Sequence, residues 1–220
     1  MGGILKTMPR KIIPLVTGET YHVFNRGVDK RIIFKDKTDY FRFHKSLQLF
    51  NSEDQTGSVY EQSFKKDWID TQTPLIDIHA YCLLKNHFHL LLTQLVDGGV
   101  SEFMKRLGGG YTLYFNERYK RSGSLFQGTF KRVHICSNEQ LLYLGAYVNL
   151  NNLVHDTSGY FLSSADVFKA KRAESFVKTG PLLKQYKNPE IFIQEAEKTV
   201  ADISRRRKLD AIYDQTNLLE

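Results

Sequence analysis

Apolar residues recur along the chain at two spacings, and each spacing predicts a different element. In ETYHVFNR, Glu19 to Arg26, Tyr21, Val23 and Asn25 fall on one face of an alternating pattern, which predicts a first strand ended by Gly27. Asp36 or Thr38 can cap the helix that follows, where Tyr40, Phe41, Phe43, Leu47, Leu49 and Phe50 recur at helical spacing. Asn51 to Thr73 is polar and reads as a long connection, with a hairpin excursion around Ser58 to Phe64. Leu75 to Leu84 alternates again, Ile76, Ile78 and Ala80 against Asp77 and His79. Lys85-Asn86 is a two-residue turn into a second, more apolar strand, so the pair predicts an antiparallel hairpin at the centre of a sheet.

Ser101 is placed to cap a helix running through Phe103, Met104 and Leu107, and Gly108 to Gly110 interrupt it. A mid-helix glycine costs about 1 kcal/mol relative to alanine. Either the helix breaks there, or something large approaches its backbone. Helical spacing resumes at Tyr111, Tyr114, Phe115 and Tyr119, interleaved with Arg118, Lys120 and Arg121. Leu125 to Cys136 reads as a strand with a bulge at Gly128. Ser137, with Glu139 and Gln140 behind it, starts a helix carrying Leu141, Leu144, Tyr147, Val148 and Leu150. Ile191 to Lys208 is an amphipathic helix ending in Arg205-Arg206-Arg207-Lys208. This order of elements predicts an α+β fold, an antiparallel sheet with helices packed mainly on one face. Texture divides the chain into an N-terminal arm (residues 1–18), a domain (19–158) and a helical C-terminal extension (159–220).

The candidate chemistry lies in the second hairpin strand, within YCLLKNHFHLLLTQ, Tyr81 to Gln94. Alternate residues of a strand share a face, so His87 and His89 point one way and Phe88 the other. That is a two-nitrogen clamp for a divalent metal, although two ordinary histidines on a sheet face give the same pattern. Tyr147 and Asn151 are four residues apart, on one face of a helix. A free phenol, with a pKa of about 10, is a poor nucleophile, and a metal that polarises a phosphate relieves that handicap. Imidazoles plus an amide oxygen, with open positions, suit Mg²⁺ or Mn²⁺ better than a closed zinc site. By spacing alone Tyr147 reads first as a core aromatic beside Leu144 and Val148.

Composition narrows the partners. The 220 residues carry a net charge of +7, with 41% hydrophobic and 13% aromatic residues, which fits a folded chain drawn to nucleic acid or another anionic surface. Cys82 and Cys136 form no CxxC pair, so neither a cysteine zinc site nor a disulfide framework is expected. No apolar run approaches the ~20 residues of a membrane span. MGGILKTMPRKIIPL reads neither as a secretion signal nor as a myristoylation site, and a cytoplasmic protein is expected.

Four blocks in order resemble the IS200-type and REP-associated tyrosine transposases of the HUH (His-hydrophobe-His) single-strand endonuclease superfamily. They are YHVFNRGVDKRIIF from Tyr21, IHAYCLLKNHFHLLL from Ile78, FMKRLGGGYTLYFNERYKRSGSLFQGTFK from Phe103, and YVNLN from Tyr147. The resemblance implies a ferredoxin-like sheet, a divalent metal (Mg²⁺ or Mn²⁺) on His87 and His89 with Asn151 as a third ligand, and Tyr147 as nucleophile. It further implies cleavage and rejoining of single-stranded or hairpin DNA through a 5′-phosphotyrosine, in the cytoplasm of a prokaryote, by a monomer or a homodimer. Arg26, Lys30, Tyr111, Arg118, Lys120, Arg121, Lys131 and Arg132 are the candidates for stacking bases or tracking the DNA backbone. The chain departs from the family pattern at Asn149, where His or Tyr is usual, and at Asn152, where Pro is usual; Tyr143 is therefore a second candidate nucleophile. Leu84-Lys85 replaces the family's Met-Pro. Two alternatives stand beside this reading. One is a catalytically silent hairpin-binding protein derived from a transposase. The other is a metal hydrolase using Asp77 or His79 as base.

Overall fold

The computed structural model describes residues 14–54, 73–155 and 159–216, and side chains up to 207. The hairpin excursion expected around Ser58 to Phe64 lies outside the described residues. Strands β1 (Thr20–Arg26), β2 (Ile76–Leu84), β3 (His87–Gln94), β4 (Lys131–His134) and β5 (Leu162–Ser163) form one antiparallel sheet in the order β4-β1-β3-β2-β5. The first four, with helices α1 (Lys37–Leu49) and α2 (Gly99–Arg118) between them, are the ferredoxin-like β-α-β-β-α-β unit. Both helices pack on one face, where Tyr21, Val23, Tyr81, Phe88, Leu90 and Leu92 meet Phe43, Leu47, Phe103, Leu107 and Phe115.

The other face is covered too. Helix α3 (Asn138–Asn149), the short α4 (Asn151–Val154), α5 (Ala165–Phe168), α6 (Gly180–Leu183) and the long α7 (Pro189–Thr216) lie on that side. Val148 packs with Ala80, Leu91 and Ile193, while Ala146, Leu150 and Val154 pack against Ala196, Val200 and Ile203 of α7. Helix α3 is thus held between sheet and C-terminal helix, which fixes the position of Tyr147. Among the described residues no helix is long and apolar enough to cross a membrane.

Several local expectations shift. The register of β2 slips between Ile78 and Ala80, so His79 is the extra residue of a bulge. Ile78 and Tyr81 then share the α1/α2 face while Ala80 turns to the α3 face, instead of Ile76, Ile78 and Ala80 lining up together. Ser101 does not cap α2; Gly98, at φ +69, does, and Ser101 lies in the first turn. The glycine run does not break the helix. A Cβ on Gly110 would sit 2.9 Å from the Phe50 ring, which is the close approach that the run signalled, whereas Gly108 and Gly109 border an open groove.

Asp39 organises the end of α2. Its buried carboxylate accepts from Arg118 Nη1 (2.6 Å) and the Tyr114 hydroxyl on one oxygen, and from the Tyr119 hydroxyl and the Lys35 N–H on the other. Asp39→Ala strands two phenols and a backbone donor. We expect it to lower folding stability by about 3 kcal/mol, read as a shifted urea midpoint at unchanged slope; a shift under about 0.5 kcal/mol would show that the network contributes nothing.

Candidate metal and phosphate site

The site is assembled from two strands and the α3–α4 corner. Register places Phe24 opposite His89 and Arg26 opposite His87, so all four side chains, with His22, share the α3 face. Tyr147 comes down from α3. Its ring packs edge-on against His89 (centroids 5.5 Å, 89°) and against His22 (5.9 Å, 77°). Leu150, at φ −114 and ψ 26, kinks the chain between α3 and α4, so Tyr147 and Asn151 do not share one continuous helix. Asn151 starts α4 just beyond the kink. The N–H groups of Asn151 and Asn152 reach the buried Cys82 thiol, whose pKa burial pushes up to about 12. This contact ties the start of α4 to β2, and it uses a backbone donor that proline at 152 would lack.

Hydrogen bonds orient the histidines. Asn86 Nδ2 donates to the Lys30 carbonyl, which turns its Oδ1 to His87 Nδ1 at 2.7 Å. His87 Nδ1 therefore carries the proton. Its Nε2 keeps a lone pair, which is buried with no hydrogen-bond partner. His89 Nδ1 meets His22 Nε2 at 2.8 Å, leaving the Nε2 of His89 for another use. Such a partner on the far nitrogen is the usual companion of a metal-binding imidazole. The Asn151 amide lies beside His87, near enough to favour its protonated form, yet without the geometry of a full hydrogen bond. His155, which closes α4, brings a third imidazole. One nitrogen from each of His87, His89 and His155 lies within 4.8 Å of the others. The donor set fits a divalent cation.

These rings surround a cleft of 620 Å³, which Phe24, Arg26, Lys30, Gln127, Lys131 and Arg207 also line. No carboxylate lines it among the described residues. Burial, the largest cause, holds His22 and His87 down to about 4 and His89 well below its ordinary value; for His87, repulsion from His155, Arg26 and Arg207 adds to it. All three are neutral at pH 7 and able to donate lone pairs to a metal. In an unfolded chain they titrate near 6.5. Between those values the unfolded chain binds more protons than the folded one. Metal-free stability should therefore be complete above about pH 6.5 and fall as pH drops towards 4, by on the order of 3 kcal/mol at most for each of His22 and His87. Urea midpoints measured in chelator across that window test this; a flat profile would contradict it.

The other sequence candidates divide. Arg26, Lys30 and Lys131 line the cleft. Arg132 pairs with Val23, one position along β4, and so faces away from it. Tyr111 was expected among the DNA-binding residues, but it is 1% exposed and donates its hydroxyl to the Ile33 carbonyl, so it cannot stack on a base. Arg118 was grouped with it, yet it is pinned by Asp36 and Asp39. Arg121 is bonded to Asn116 and the Ser124 carbonyl, and Lys120 is exposed at the end of α2. Tyr143 is exposed and does not line the cleft. His79, offered above as a hydrolytic base, is bonded in the bulge to Thr93 and the Lys178 carbonyl, and neither it nor Asp77 lines the cleft. His22, Asn86 and His155 were not anticipated. A signal existed for two of them: His22 lies across the sheet from the histidine pair, and His155 stands one turn after Asn151.

Residues 70–151 match the family model described as "Transposase IS200 like". Among solved structures, one described as the REP-associated tyrosine transposase bound to a REP hairpin is similar to the chain at a TM-score of 0.49 and 13% identity, covering 78% of this chain and 98% of that one. No curated protein matches the chain.

Proposed function

We propose that this chain is a metal-dependent single-stranded DNA transesterase of transposase type, which cleaves and rejoins DNA at hairpin-bearing sequences. The observation that carries this reading is the edge-on packing of Tyr147 against His89, beside the unpartnered Nε2 of His87. Nucleophile and candidate metal donors thus meet within one chain. His87, His89, Asn151 and His155 would hold the ion, and of Mg²⁺ and Mn²⁺ so imidazole-rich a set favours Mn²⁺. A bound divalent cation supplies Lewis-acid polarisation of a phosphoryl oxygen. Tyr147 Oη attacks the phosphorus of a bound phosphodiester and its proton passes to solvent. An O–P bond to tyrosine forms, the bond from phosphorus to the 3′ oxygen breaks, and that oxygen takes up a proton as a 3′-hydroxyl. Attack by another 3′-hydroxyl reverses the step, so the bond energy is kept in the phosphotyrosine. Arg26, Lys30 and Lys131 neutralise phosphates in the cleft. On this reading residues 19–158 carry the chemistry and 159–220 buttress α3.

The test is to incubate the wild-type chain with hairpin-bearing single-stranded oligonucleotides and Mn²⁺. A denaturant-resistant protein–DNA adduct that chelator abolishes is expected. Binding without any adduct would support instead a silent hairpin-binding descendant of a transposase.

A further inference from the structure

Helix α7 does more than cover α3. Ala196, Val200 and Ile203 pack on Ala146, Leu150 and Val154, and the turn after Ile203 carries the chain to the residue that follows Val154. There Arg207 Nη1 lies 3.5 Å from His155 Nε2, and the Arg207 side chain lines the cleft together with His87, His89 and Tyr147. A guanidinium has no lone pair to give a metal and can only donate. Beside a donor set of neutral imidazoles, with no carboxylate lining the cleft and with Arg26, Lys30 and Lys131 already there, it adds a fourth positive charge. That arrangement opposes a lone cation and favours one that arrives with an anion.

Resting on the reading of this cleft as a phosphodiester site, we propose that Arg207, delivered by the C-terminal helix, is a phosphate-binding residue of the cleft and couples metal occupancy to DNA occupancy. Its planar fork can hold two oxygens of one phosphodiester. Once it engages the phosphate it no longer opposes the ion, so phosphate and cation each strengthen the binding of the other, by the same factor.

The test uses the full chain with Tyr147→Phe, so that no cleavage intervenes, and compares Arg207→Gln with Arg205→Gln. Arg205 stands on the same helix, exposed and paired with Asp202. Two quantities are read: the salt dependence of binding to a thymidine oligonucleotide in Mn²⁺, and Mn²⁺ affinity by calorimetry without DNA. Arg207→Gln should flatten the slope of log K against log salt by about 0.7, one phosphate contact on a single strand, and should tighten Mn²⁺ binding several-fold in the absence of DNA. Arg205→Gln should do neither, and Arg207→Lys should restore part of the slope. Arg207 is exposed, so folding should be unaffected; circular dichroism checks this. If either quantity for Arg207→Gln matches that for Arg205→Gln, the inference is overturned. Whether Tyr147 forms the adduct is decided separately, in the wild-type background, so failure here leaves that reading standing.

Discussion

Tyr147→Phe is expected to abolish the covalent protein–DNA adduct while single-stranded DNA binding persists. Removing one oxygen leaves the ring in place, so the edge contacts with His89 and His22 survive. Stability should therefore change by no more than about 0.5 kcal/mol. The step itself has no substitute. Tyr143 is exposed and outside the cleft lining, and no other tyrosine lines the cleft among the described residues. Loss of a nucleophile lowers the chemical step by at least about 10⁴-fold. Gel separation under denaturing conditions, with Tyr143→Phe alongside, measures it. Tyr143→Phe should keep the adduct, and an adduct that survives in Tyr147→Phe would remove Tyr147 from the mechanism.

The second large effect is expected at the histidines, and it should be graded. His89→Ala and His87→Ala each delete a proposed ligand, and Mn²⁺ binding should fall beyond calorimetric detection, taking adduct formation with it. His22→Phe deletes only the partner that orients His89, which should weaken Mn²⁺ by about 10–100-fold and leave measurable turnover at high Mn²⁺. The order matters more than any one value. A ligand and its orienting partner differ in whether excess metal rescues them. His89→Ala binding Mn²⁺ as tightly as wild type would mean that the ion, if one binds, sits elsewhere.

Why some of this was legible in the sequence and some was not follows from where each residue gets its position. His87 and His89 sit on a strand whose alternation is local, so their shared face could be read from spacing. The order of strands and helices likewise depends on local periodicity and short turns. The face of Ala80 could not be read this way, because a one-residue bulge at His79 reverses the alternation and is held by Thr93 and the Lys178 carbonyl, both distant in sequence. Tyr111 failed for a different reason. Helical spacing marks a stripe as apolar without saying whether it meets solvent or core, and Phe43, Phe34 and Phe126 enclose it. His155 and Arg207 depend on a kink at Leu150 and on the docking of a helix some fifty residues downstream, 52 positions separating the two. Pairwise packing at that separation leaves no periodic trace. Gly110 is the intermediate case, since the glycine run announced a close approach and only the fold showed that Phe50 makes it.

The account depends most on which oxygen becomes bonded to DNA. The adduct from wild-type protein, Mn²⁺ and a hairpin-bearing single strand can be digested with protease and nuclease and the modified peptide sequenced by mass spectrometry. The account predicts a nucleotide phosphate on Tyr147, and on no other residue. A phosphate on Tyr143, or on any residue outside the histidine cleft, would contradict it.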